Sequence, residues 1–78
     1  MPRFFFNLRN NVPVEDREGK ELPDIDRARD QAITHARGIM SEDVKDGRLV
    51  LKDEIDVLDE SRACLLTVRF RDAVKIEQ

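Results

Sequence analysis

The chain has 78 residues, one cysteine and a net charge of −3, and charged and hydrophobic residues each make up 40% of it. That length holds a single domain with a modest core, one cysteine excludes an intrachain disulfide framework, and the acidic balance weighs against a purely electrostatic binder of nucleic acid or membrane. The hydrophobic positions are periodic, which is the pattern of a folded domain with a charged surface and not of a disordered chain. No apolar run is long enough to span a membrane, and Met1-Pro2-Arg3-Phe4 does not open a signal peptide. The expectation is a soluble cytoplasmic protein.

Residues 3–9, Arg-Phe-Phe-Phe-Asn-Leu-Arg, predict a first strand. Period two puts Phe4, Phe6 and Leu8 on one face and Arg3, Phe5, Asn7 and Arg9 on the other. Asn10-Asn11 with Pro13, and then Asp16 to Gly19, are turn signals. Lys20 to Leu22 predicts a short charged edge strand that stops at Pro23.

Asp24 to Gly47 predicts the one long helix. Asp24 is a good N-cap, Asp26 adds negative charge to the first turn, Lys45 a cation to the last, and Gly47 can take the left-handed conformation that closes a helix. At about 100° per residue, Ile25, Ala28, Ala32, Ala36, Ile39 and Met40 share one arc. The three alanines form a small-residue stripe that allows close approach to a sheet.

Leu49 to Leu51 predicts an irregular apolar segment beneath the sheet end. Glu54 to Asp59 predicts a third strand, with Ile55 and Val57 inward and Asp56 and Leu58 outward. Asp59-Glu60-Ser61-Arg62 is a hairpin connection without the glycine that tight turns prefer. Ala63 to Phe70 predicts the fourth strand, with Cys64, Leu66, Val68 and Phe70 inward and Leu65, Thr67 and Arg69 outward. The class is therefore α+β: a two-layer β-β-α-β-β domain, one helix on a small, mostly antiparallel four-stranded sheet. The apolar content of the first and fourth strands places them centrally, which gives the strand order 2-1-4-3. The tail from Arg71 carries Val74 and Ile76 as a weak extended end that could cover the outer sheet face.

The opening Met-Pro-Arg-Phe-Phe-Phe, the segment Glu18-Gly19-Lys20-Glu21-Leu22-Pro23-Asp24 and the closing Phe70-Arg71-Asp72-Ala73-Val74 resemble a family of small bacterial proteins grouped as a domain of unknown function. The Asp59–Arg62 turn departs from the Gly-bearing hairpin of that family. The resemblance implies a bacterial cytoplasmic protein and carries over no activity, cofactor or catalytic residue.

The residues themselves argue against an enzyme. His35 is the sole histidine and lies at the margin of the apolar helix arc, while Cys64 alternates with core positions, where a free cysteine is inert packing. One His and one Cys do not make a zinc site. Asp24/Asp26 and Asp53/Glu54/Asp56 lack the spacing of a calcium loop and suit a helix cap and a solvated strand. The expectation is no catalytic residue, no metal and no cofactor.

The outer sheet face is the one candidate site. It gathers Phe5, Leu58 and Leu65 among Arg3, Arg9 and Arg69, the aromatic centre and arginine rim that interfaces favour. The expected function is a non-catalytic interaction or self-association module with an unknown protein partner or a weak homodimer. The alternative is a single-stranded nucleic-acid-binding module using the same face, with Phe5 stacking on a base.

Overall fold

The computed structural model describes residues 1–77. In chain order it has β1 (Arg3–Arg9), β2 (Lys20–Glu21), α1 (Ile25–Lys45), β3 (Glu54–Leu58) and β4 (Cys64–Arg69), followed by a single 3-10 turn at Phe70–Asp72. This is the α+β class and the β-β-α-β-β order that the periodicity predicts, with every strand pair antiparallel.

The helix ends where its caps dictate. The Asp24 side chain accepts the Arg27 N–H at 2.9 Å, so one orphan donor of the first turn is satisfied. At the other end Gly47 has φ +83°. Its N–H donates to the Val44 carbonyl, and the Arg48 N–H donates to that of Asp43. This paired closure of the last carbonyls is the Schellman arrangement. Ala28, Ala32 and Ala36 have no exposed surface. They bring the helix close to a sheet face built from Phe4 and Phe6 of β1, Ile55 and Val57 of β3 and Val68 of β4, while Met40 and Phe70 close one end. Ile25, expected in this core, is exposed; burial along the helix begins only at Ala28.

The strand order is β2-β1-β3-β4, so β3 and not β4 lies beside β1. The apolar content of β4 is a misleading guide, because Cys64 and Leu65 are both exposed. What makes β3 central is burial on both of its faces: Ile55 and Val57 toward the helix, and Leu58 on the opposite side. Phe5 and Leu65 are consequently not on neighbouring strands, since β3 runs between them.

A register shift between Val57 and Leu58 corrects a second expectation. Val57 is opposite Leu66, but Leu58 is opposite Cys64, which leaves Leu65 as an extra residue. Such a bulge moves everything beyond it to the other face. Cys64 therefore sits exposed on the outer face, with its sulfur 3.8 Å from the Thr67 hydroxyl, and not in the core. The tail does not cover that face. Ala73 is buried on the helix side, where the Arg37 Nε donates to its carbonyl at 2.6 Å.

Candidate functional site

The outer face divides into a polar half and an apolar half. In register across β1, β3 and β4, Arg9 faces Glu54 and Glu54 faces Arg69; Asn7 faces Asp56 and Asp56 faces Thr67. The Arg9 guanidinium lies 2.8 Å from Asp56 and 3.4 Å from Glu54. The Thr67 hydroxyl donates to the other Asp56 oxygen at 2.7 Å. These cross-strand pairs occupy Arg9 and bring β3's carboxylates into a satisfied ladder.

In the apolar half, Phe5 is opposite Leu58. Neither forms an open centre. The Arg62 guanidinium lies over the Phe5 ring at 4.7 Å from its centroid, a cation–π geometry. The same group is 2.7 Å from the Glu15 carboxylate and donates to the Asp16 carbonyl. Arg62 reaches this position from the hairpin, where it is held at φ +70°. The Asp59 carboxylate organises that turn by accepting the Ser61 and Ala63 N–H groups and the Ser61 hydroxyl. Those bonds, led by the Ser61 hydroxyl, hold the Asp59 pKa below its ordinary value.

The segment from Glu15 to Gly19 closes the same half from the β1 side. A Cβ on Gly19 would stand 2.8 Å from both the Phe4 carbonyl oxygen and the Phe5 ring, and Gly19 has φ +70°. Only glycine fits both constraints. Arg3 donates to the Glu18 carbonyl at 2.7 Å and lies 3.5 Å from Glu21.

Asp16 is the organiser of this segment. Val14 pairs with Leu8, and Lys20 with Phe4, so the chain touches β1 at two places with a gap between them. The Asp16 carboxylate fills the gap. One oxygen accepts the Phe6 N–H at 3.1 Å, and the other accepts the N–H groups of Glu18 and Gly19. The Asp16 N–H in turn donates to the Asn7 side chain. Partial burial disfavours the charged carboxylate, but the three N–H donors and the Arg62 charge outweigh it and lower the pKa.

Of the residues expected at the site, Phe5 and Leu58 are thus covered from within the chain, and Arg3 and Arg9 are paired with carboxylates. Leu65, 45% exposed, and Arg69 remain open along β4, joined by Cys64 and Thr67. The residues the periodicity did not reveal are Glu15, Asp16, Gly19 and Arg62. Asp16 to Gly19 is visible in the sequence as a turn, but its target on β1 is not.

On the helix side, a cleft of about 610 Å³ opens between α1 and residues 14–20, floored by Phe6, Leu8 and Val14 and bordered by Lys20, Gln31 and His35. His35 is therefore in the helix layer and Cys64 on the opposite sheet face, so the two cannot act as a nucleophile and base. Among the described residues no group of three or more His, Cys, Asp or Glu side chains could hold a metal ion, and no helix is long and apolar enough to cross a membrane.

A comparison with curated proteins and with solved structures returned no match. A family model matches from the first β1 residue to the 3-10 turn after β4, residues 3–71, and on that match the chain belongs to the family described as Domain of unknown function (DUF6894).

Proposed function

We propose that this protein is a non-catalytic interaction module whose contact surface is the β4 side of the outer sheet face. The observation that carries this reading is the exposure of Leu65 beside Cys64 and Thr67 on an edge strand that has, among the described residues, no neighbouring strand on its far side. A large apolar side chain next to unpaired backbone groups is the chemistry of strand addition, in which main-chain hydrogen bonds give affinity and side chains give selectivity. The separation of His35 from Cys64 supports the non-catalytic part. The nucleic-acid alternative is weakened because Phe5, the one aromatic on this face, already carries the Arg62 guanidinium.

The experiment is cross-linking from the native Cys64 in extracts of the source cell. A short thiol-directed photo-cross-linker should give a discrete adduct, and Leu65→Lys should abolish it while the fold is retained. No adduct, or an adduct indifferent to Leu65→Lys, would overturn the reading.

A further inference from the structure

We infer that the partner at this surface is a second copy of the chain, docked strand to strand, with β4 antiparallel to β4 across a twofold axis. The inference rests on the interaction reading above and names its occupant.

Backbone direction supplies the first reason. The Phe70 N–H donates to the Asp53 carbonyl across the β3 edge at 3.0 Å. Alternation along an antiparallel ladder then turns the Val68 and Leu66 backbone groups toward β3 and those of Thr67 and Arg69 outward. In the monomer water satisfies these exposed outward groups, and a docked strand can replace that water because its own donors and acceptors come in the matching alternation.

The contrast between the two sheet edges supplies the second. β2 is only Lys20–Glu21, both residues charged, and Pro23 follows. The gap beside it on β1 is filled by the Asp16 carboxylate. These are devices that prevent pairing. β4 has six residues, no proline, and Arg69 at its end as its one charged side chain. A β4 edge meeting a β2 edge would be a head-to-tail contact that propagates into a filament, and β2 is blocked for it. The pairing left is β4 with its like, which is isologous and closes as a dimer.

Side chains supply the third. A twofold axis at Thr67 sets Thr67 against its own copy and Leu65 against Arg69 of the other. The Arg69 stem then lies along Leu65 with its head in water, and no like charges are directly opposite each other.

The test is sedimentation equilibrium of the full chain from micromolar to millimolar concentration. The wild type is compared with Leu65→Lys and Thr67→Pro, and circular dichroism checks their folding. Thr67 directs its N–H away from β3, so proline there spares the β3–β4 backbone hydrogen bonds and gives up only the Thr67 hydroxyl bond to Asp56. The expected result is a reversible dimer in the wild type that both substitutions weaken by at least tenfold. Spin labels on Cys64 should report a backbone separation of about 20 Å, because the two sites lie six residues apart along paired strands at 3.3 Å each. A wild type that stays monomeric overturns the inference, as do filaments, a dimer indifferent to both substitutions, or labels well beyond 30 Å. If the monomer nevertheless gives a Leu65-dependent Cys64 adduct, the second copy is refuted and the interaction reading stands. If it gives none, both fall.

Discussion

Asp16→Ala removes the group that replaces a strand beside β1. Three backbone N–H groups lose their acceptor, and those of Phe6 and Gly19 are partly shielded from water. A hydrogen bond to a charged group contributes about 1.5–3 kcal/mol when shielded, and less where water can substitute, so the combined loss should be about 2–3.5 kcal/mol. With a urea slope of about 1 kcal/mol/M for a domain this small, the midpoint should fall by about 2–3.5 M. Asp16→Asn is the sharper probe. Its amide oxygen can keep the Glu18 and Gly19 bonds, but its NH2 then meets the Phe6 N–H, donor against donor, so a loss between wild type and Asp16→Ala is expected. The pH dependence has a defined sign. The folded-state pKa of Asp16 lies below the ordinary 3.8. Its stabilisation is therefore fully present above pH 3.8 and fades as the pH falls below that value toward the folded pKa. Urea titrations of the wild type and Asp16→Asn at neutral pH and near pH 3 should show the gap between them narrowing in acid. A gap of constant size, or equal stability at neutral pH, would refute the role given to the Asp16 charge.

Gly19→Ala should destabilise by about 2–4 kcal/mol, from the positive φ and the overlap with Phe4 and Phe5 together, and a thermal melt within a degree or two of wild type would contradict it. Ala32→Leu should cost about 1–3 kcal/mol by overfilling a contact with no exposed surface, whereas a rise in the denaturation midpoint would mean the helix does not approach the sheet closely there. Arg62→Gly should be about 1 kcal/mol more stable than Arg62→Ala, because both lose the Phe5 and Glu15 contacts but only glycine relieves the φ of +70°. Equal stabilities in urea would show that the hairpin carries no such strain.

What the sequence discloses here is mostly local. The span of β1, the Asp24 cap and the Gly47 closure depend on residues within a few positions of each other, and each is where the pattern puts it. The alanine stripe is legible for the same reason. Strand order is not local. The sum of apolar residues favours β4 as a central strand, but what decides the matter is which strand is covered on both sides: Leu58 is buried on the outer face opposite Phe5, whose own ring lies under the Arg62 guanidinium. The bulge opposite Leu58 is equally hidden, and it alone carries Cys64 from the expected core to the surface. That Phe5, Arg9, Leu58 and Arg69 share one sheet face is legible from period two, whereas the place of Cys64 on that face and the covering of Phe5 are not. That covering rests on Gly19 packing on a ring from β1 and on an arginine in a left-handed turn position, both fixed by contacts distant in sequence.

The central claim is that β4 is an open edge that becomes paired. Amide hydrogen exchange read residue by residue tests it directly, because neighbouring amides on β4 should behave differently. In dilute protein the outward N–H groups of Thr67 and Arg69 should exchange quickly while those of Val68 and Phe70, turned toward β3, are protected. On association at high concentration the Thr67 and Arg69 amides should become protected, with Val68 and Phe70 little changed. Association that leaves Thr67 and Arg69 exchanging as fast as in the monomer would contradict the claim, and so would protection of those two amides already present in the dilute monomer.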